Sequence, residues 1–249
     1  MSTDMQIFEQ AIWLCILSFF YILVFGVIIT KKCSKNVCLM LILILIGRMA
    51  WSVLKYYYKL PPAFSDEVYF EIAITDNAKH GLSKLNLHPR TDVNIYLYAH
   101  SIITILSGGN AIGSILFNAF LGTLAIYNIG RISAIIGDER NAVTLAAISP
   151  AMLIYTTNLL RESFVLYFIT LAILYGIKYL DSNGGKSSIF TFFLYTILAA
   201  MVRKVNLPIF LCMGLFLIYL GPRGRKRGAY RIVLMGSLVL AAAIFIKTM

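Results

Sequence analysis

Apolar stretches at 9–29, 37–54, 111–130, 141–157, 162–180, 188–202, 205–221 and 232–247 leave this chain little choice of solvent. An untilted helix needs roughly 20 apolar residues to cross about 30 Å of hydrocarbon, and several of these stretches reach or approach that length. Hydrophobic residues make up 59% of the 249 positions and charged residues only 13%, too little polar surface for a soluble domain of this size. The expected fold class is therefore all-α: a polytopic transmembrane helical bundle of about 8 spans, forming a single membrane-embedded domain over residues 1–249. The shorter stretches are expected to tilt or to thin the bilayer around them. Residues 9–29 lack a basic leader and a small-x-small cleavage site, so they read as a retained first span rather than a signal peptide.

The formal charge of +11 would point to nucleic acid in a soluble protein. Here the cations sit in short connections, Lys31, Lys32 and Lys35 in one and Arg223, Arg225, Lys226, Arg227 and Arg231 in another. Positive-inside orientation and anionic headgroups account for them, and no nucleic-acid partner is expected. If 31–35 and the basic loop 222–231 both face the cytoplasm, an even number of crossings separates them. The segment 94–107 (NIYLYAHSIITILS) breaks that parity if it crosses, so it is expected to be a re-entrant or short helix. The connections at 55–93, at Arg161-Glu162 and at Arg203-Lys204 then share the exoplasmic side, and the protein is expected in the cell (plasma or inner) membrane as a multi-pass protein.

Residues 55–93 form the long polar loop, and loops of that length in compact proteins are functional or disordered. Its aromatic content, with Tyr56, Tyr57, Tyr58, Phe64, Tyr69 and Phe70, argues against disorder. A helix over 66–80 is expected, with Ser65 as N-cap, acids in the first turn and Gly81 as the stop. Val68, Tyr69, Ile72 and Ala73 give it an apolar side suited to a membrane surface. Asp66 and Glu67 fit two roles: acids complementing a helix N-terminus, or carboxylates meeting a lipid-borne substrate at the bilayer edge. Glu71, one turn beyond Glu67, would extend an acidic face able to hold a divalent metal ion or an acceptor's proton.

Arg161-Glu162 is either a helix-end ion pair or a site, since ionisable groups at membrane depth are functional candidates by default. Arg161 would bind phosphate bidentately, while Glu162 would orient an acceptor or ligate a metal. Arg203-Lys204 opposes the positive-inside trend under this topology, which makes a purely topogenic role less attractive and leaves binding of a pyrophosphate or lipid phosphate as the alternative. Arg48 is expected to snorkel. The four cysteines (Cys15, Cys33, Cys38, Cys212) and the histidines His80, His88 and His100 show no metal-ligand spacing, and His100 reads as an interfacial hydrogen-bonding residue. Gly108-Gly109-Asn110 reads as a turn rather than a phosphate loop.

In order and spacing these features resemble the GT-C superfamily of membrane glycosyltransferases that use polyprenyl-phosphate-linked sugars, of the protein mannosyltransferase or aminoarabinose transferase type. The likeness runs from about Asp66 to Leu180: Asp66-Glu67 with Tyr69, a short apolar segment ending at Gly108, Asn118-Ala119-Phe120-Leu121-Gly122 leading to Tyr127 and Arg131, then Pro150, Tyr155 and Arg161-Glu162. It implies Asp66 (or Glu67) as catalytic carboxylate and Glu162 as a second acid. It also implies a polyprenyl-phosphate-linked sugar donor and a glycan, lipid or protein acceptor. Two departures stand beside it. An extra span precedes the acidic loop, and the chain stops at Met249 after an apolar segment where such enzymes continue, as expected of a compact variant, a fragment or an inactive relative. Two rival functions fit the same spans. One is an envelope oligosaccharide polymerase acting through arginines; the other is a non-enzymatic transporter or membrane assembly subunit in which Asp66-Glu67 only caps a helix.

Overall fold

A computed structural model describes residues 3–30, 33–60, 64–81, 91–135, 137–180, 186–203, 213, 214 and 217. Among these residues the chain is helical without strands: α1 (Thr3–Thr30), α2 (Lys35–Tyr58), α3 (Ser65–His80), α4 (Thr91–Leu106), α5 (Ile112–Ala134), α6 (Glu139–Ile148), α7 (Pro150–Thr157), α8 (Glu162–Leu180) and α9 (Lys186–Val202). Four helices are long and apolar enough to cross a membrane: α1 from Glu9, α2, α5 and α8. The expected segments 205–221 and 232–247, the loop 222–231 and Lys204 lie wholly or almost wholly outside the described residues. Two compact units emerge, Met1–Tyr167 and Phe168–Met249.

In the first unit, α5 is the hub, packing against α1, α2, α4, α6 and α7. Its most apolar 18-residue window is 89% buried, whereas that of α1 is 17% buried although α1 is the more apolar helix. This inversion is the pattern expected of helices that pack in a hydrocarbon solvent, with greasy side chains outside and small or polar ones within. Gly122 and Gly130 let neighbours approach α5 closely; a Cβ at Gly122 would fall 2.3 Å from Thr156 Cβ on α7, and one at Gly130 2.5 Å from Val143 Cγ2 on α6. α1 runs parallel to α5, with Trp13 over Gly108, Leu17 near Gly113 and Tyr21 stacked on Phe120.

The stretch 141–157, expected as one near-spanning segment, is two helices. Ser149 is extended, accepts the Met152 N–H on its hydroxyl and caps α7, and Pro150 opens the new helix because it has no N–H to give the old one. The α3 helix forms as expected and stops at Gly81 (φ 73°), but its N-cap is Phe64 rather than Ser65, which is already helical. Phe64 stacks on Tyr155 of α7, ring centroids 6.0 Å apart, so packing fixes the entry to α3 where no capping hydroxyl does. Lys59 makes the preceding turn in the left-handed region (φ 50°), and its N–H and that of Leu60 both reach the Lys55 carbonyl.

α3 buries Phe70, Ile74 and Asn77 against α4, leaving Val68, Tyr69 and Ile72 exposed, the side expected to meet lipid. At 16 residues α4 is about 24 Å long. It lies antiparallel to the start of α5, with Thr104 beside Ser114 and Tyr96 beside Asn118, and the expected turn at Gly108-Gly109 joins the two through positive φ (74° and 81°).

In the second unit, Ala172 and Leu180 of α8, Phe192 of α9 and Leu217 form a core, bordered by Tyr175, Tyr179, Phe193 and Met213. Gly176 fits against Leu217 and Phe192.

Candidate functional site

The connection from α7 to α8 is the irregular stretch 158–161, and its backbone groups need partners that lipid does not provide. Asn158 leaves the helix extended (φ −98°, ψ 162°). One amide from α5 gathers the stretch: Asn118 Nδ2 donates to the carbonyls of Asn158 (2.7 Å) and Leu160 (3.1 Å). Ser163 Oγ, 2.7 Å from Asn118 Oδ1 and 3.0 Å from the Leu160 carbonyl, closes the loop.

Onto this frame α2 and α3 bring opposite charges. Lys55 Nζ donates to Glu67 Oε2 (2.8 Å) and Oε1 (3.2 Å) and to Asn158 Oδ1. Glu67 Oε1 also accepts the Leu159 N–H at 3.4 Å. With side-chain exposures of 7% and 20%, this ion pair is largely removed from water. Desolvation offsets much of its attraction, so its main effect is to fix one arrangement, and loss of either partner leaves a stranded charge. The pair ties the end of α2, the first turn of α3 and the α7–α8 connection into one knot.

Of the two expected catalytic acids in the loop, Glu67 is thus half-buried and engaged while Asp66, one residue earlier, is exposed. Glu71 faces Tyr56. Arg161 and Glu162 are half-buried at the start of α8, and together with Glu67 they act electrostatically on the Tyr96 hydroxyl. Arg203 is half-buried at the end of α9, in the second unit. Among the described residues no group of three or more His, Cys, Asp or Glu side chains is arranged to hold a metal ion.

Lys55, Tyr96, Asn158 and Ser163 were not singled out from sequence, and Asn118 only as part of a motif. A signal existed for Lys55. Arg48, Ser52 and Lys55 recur at helical spacing on one face of an apolar helix, and all three are buried.

Arg48 does not snorkel. It is 3% exposed, and Nη1 donates to Thr156 Oγ1 and to the Met152 carbonyl (3.2 Å). An arginine at the centre of a spanning helix costs about 2.5–3.5 kcal/mol on insertion scales, and more when poorly paired. Among the described residues its Nε and Nη2, Ser52 Oγ and Asn158 Nδ2 are buried without hydrogen-bond partners. His100, expected at an interface, is wholly buried in an aromatic box of Tyr96, Phe117 and Phe164; its ring nitrogens close no hydrogen bond of full geometry, and Asn118 is the polar group facing it.

Compared with protein-family models, curated proteins and solved structures, the chain matches none.

Proposed function

We propose that the chain is a multi-pass membrane glycosyltransferase that moves a sugar from a polyprenyl-phosphate-linked donor to an acceptor hydroxyl at the exoplasmic face of the cell membrane. The observation that carries this reading is the division of labour at the start of α3. Glu67 is held by Lys55 beside the α7–α8 connection, which leaves Asp66, its neighbour in sequence, exposed. In this reading Asp66 takes the acceptor's proton as the hydroxyl oxygen attacks the anomeric carbon. The bond from that carbon to the phosphate oxygen breaks, and the lipid phosphate leaves with the electron pair. Arg161 offsets the charge developing on the phosphate, and Glu162 orients the acceptor.

Arg203 and Lys204 belong to the proposal as further phosphate ligands by their sequence positions alone. The topology proposed is about eight crossings, with 31–35 and 222–231 cytoplasmic and α4 crossing only in part. The exposed Val68, Tyr69 and Ile72 suit α3 to the membrane surface beside the donor's headgroup.

The test is sugar transfer by membranes or purified chain carrying Asp66→Asn, with expression and melting held normal. Transfer falling by two orders of magnitude or more, the reach of general acid–base catalysis, is the expected result. Undiminished transfer removes Asp66 from the mechanism, and absence of transfer by the wild type favours a transporter or assembly subunit. Lengthened glycan chains in place of single additions identify a polymerase.

A further inference from the structure

The face of α2 that carries Lys55 holds a second polar group deeper in the helix. Arg48 lies seven residues before Lys55, about 10 Å along the axis. It has no ion pair among the described residues. Among the described residues hydrogen bonds occupy only Nη1, which holds the end of α7 through Thr156 and the Met152 carbonyl. The two nitrogens left over, Nε and Nη2, form the guanidinium edge that makes side-on bidentate pairs with oxyanions.

Ser52, one turn further along the same face, and Asn158, two residues past Thr156, are also buried with an unmet Oγ and Nδ2. Every unmet group in this seam is thus able to donate, and while Lys55 pairs with Glu67, the charge of Arg48 has no carboxylate partner among the described residues. Water would satisfy the hydrogen bonds and leave the charge; an oxyanion satisfies both.

We propose that the seam between α2 and α7 is an oxyanion site. Arg48 Nε and Nη2 grip two oxygens of a phosphate group, and Ser52 Oγ and Asn158 Nδ2 donate to the remaining ones. The proposal stands apart from the glycosyltransferase reading, which uses Arg161, Arg203 and Lys204 for its phosphate and does not involve Arg48. The phosphate belongs either to a membrane phospholipid or to the free ion, and the chemistry that recognises it is the same.

Two measurements on the full chain purified in a maltoside detergent test the site. Native mass spectrometry reads retained phospholipid, and equilibrium dialysis reads binding of radiolabelled inorganic phosphate to delipidated protein. One phospholipid retained by the wild type and lost from Arg48→Met assigns the phosphate to a lipid; saturable phosphate binding lost in the same variant assigns it to the free ion. Arg48→Lys, which keeps the charge and loses the fork, is expected to weaken binding roughly tenfold or more, and Ser52→Ala by less. If Arg48→Met does not fold, these two variants decide. The proposal is overturned if the wild type holds neither phospholipid nor phosphate, or if the variants that fold bind as the wild type does.

Discussion

At the scale of single residues, the Lys55–Glu67 pair joins positions that lie close in sequence to a connection about a hundred residues away. Removing one member strands the other in a largely dry setting. Lys55→Met or Glu67→Met alone should destabilise the chain by about 2–3 kcal/mol, just below the range for a fully buried pair because Glu67 keeps 20% of its side-chain exposure. The double variant Lys55→Met with Glu67→Met should recover at least half of the summed loss, measured by denaturant unfolding in mixed micelles. Simple additivity would mean that the two charges do not depend on each other. Sequence reading found the acids because a charged dipeptide stands out in an apolar chain. It passed over Lys55, which resembles the ordinary cation at a span's end, and over Asn118 and Asn158, whose importance comes from a backbone stretch that only the folded chain brings to them.

At the scale of elements, α2, α3, α5, α8 and α9 were legible because uninterrupted hydropathy and glycine stops are local properties, but α2 and α5 each run a turn past the ends expected at 54 and 130. The break within 141–157 was legible too, as a Ser-Pro pair, but continuous apolar character masked it. What no local signal conveys is which glycine admits which neighbour. Gly122 is the sharpest case, since a methyl group there would overlap Thr156 and press on the Arg48 guanidinium, 3.0 Å away. Gly122→Ala should therefore destabilise by about 1–3 kcal/mol, against the slight gain that Gly→Ala brings in an open helix. Gly26, with nothing within 4 Å of its missing Cβ, serves as the control, and Gly26→Ala should be neutral or stabilising in the same melting assay. Equal responses at both positions would contradict the close approach of α5 and α7.

At the scale of the first unit, its two ends differ in chemistry. One end gathers Lys55, Glu67 and the α7–α8 connection. The other joins α1 to α2, where Cys33 lies beside Glu139 and within reach of Arg131. Cysteines introduced at Tyr58 and Tyr69 should be labelled by an impermeant maleimide from one side of a sealed vesicle, and one at Asp138 from the opposite side. Labelling of all three from the same side would refute the arrangement. Native Cys33 adds a pH signature: burial first, and Glu139 second, push its thiol up to about 12. It therefore stays protonated where a free cysteine, with a pKa near 8.5, has largely ionised. Its alkylation by a permeant reagent should be slow at pH 7.5 and keep rising about tenfold per pH unit beyond pH 9, where a free thiol levels off. A plateau near pH 9 would place that thiol in open water.

The buried face of α2 also constrains how the protein is made. When this helix leaves the ribosome, Arg48 and Lys55 lack their distant companions, because Thr156 and Asn158 have yet to be synthesised and Glu67 has only begun to follow. Released singly into hydrocarbon, it would carry two naked cations for as long as translation takes to reach the α7–α8 connection. Retention of the early helices beside the insertion machinery, with joint release into the bilayer once the α7–α8 connection has followed, would shelter those charges.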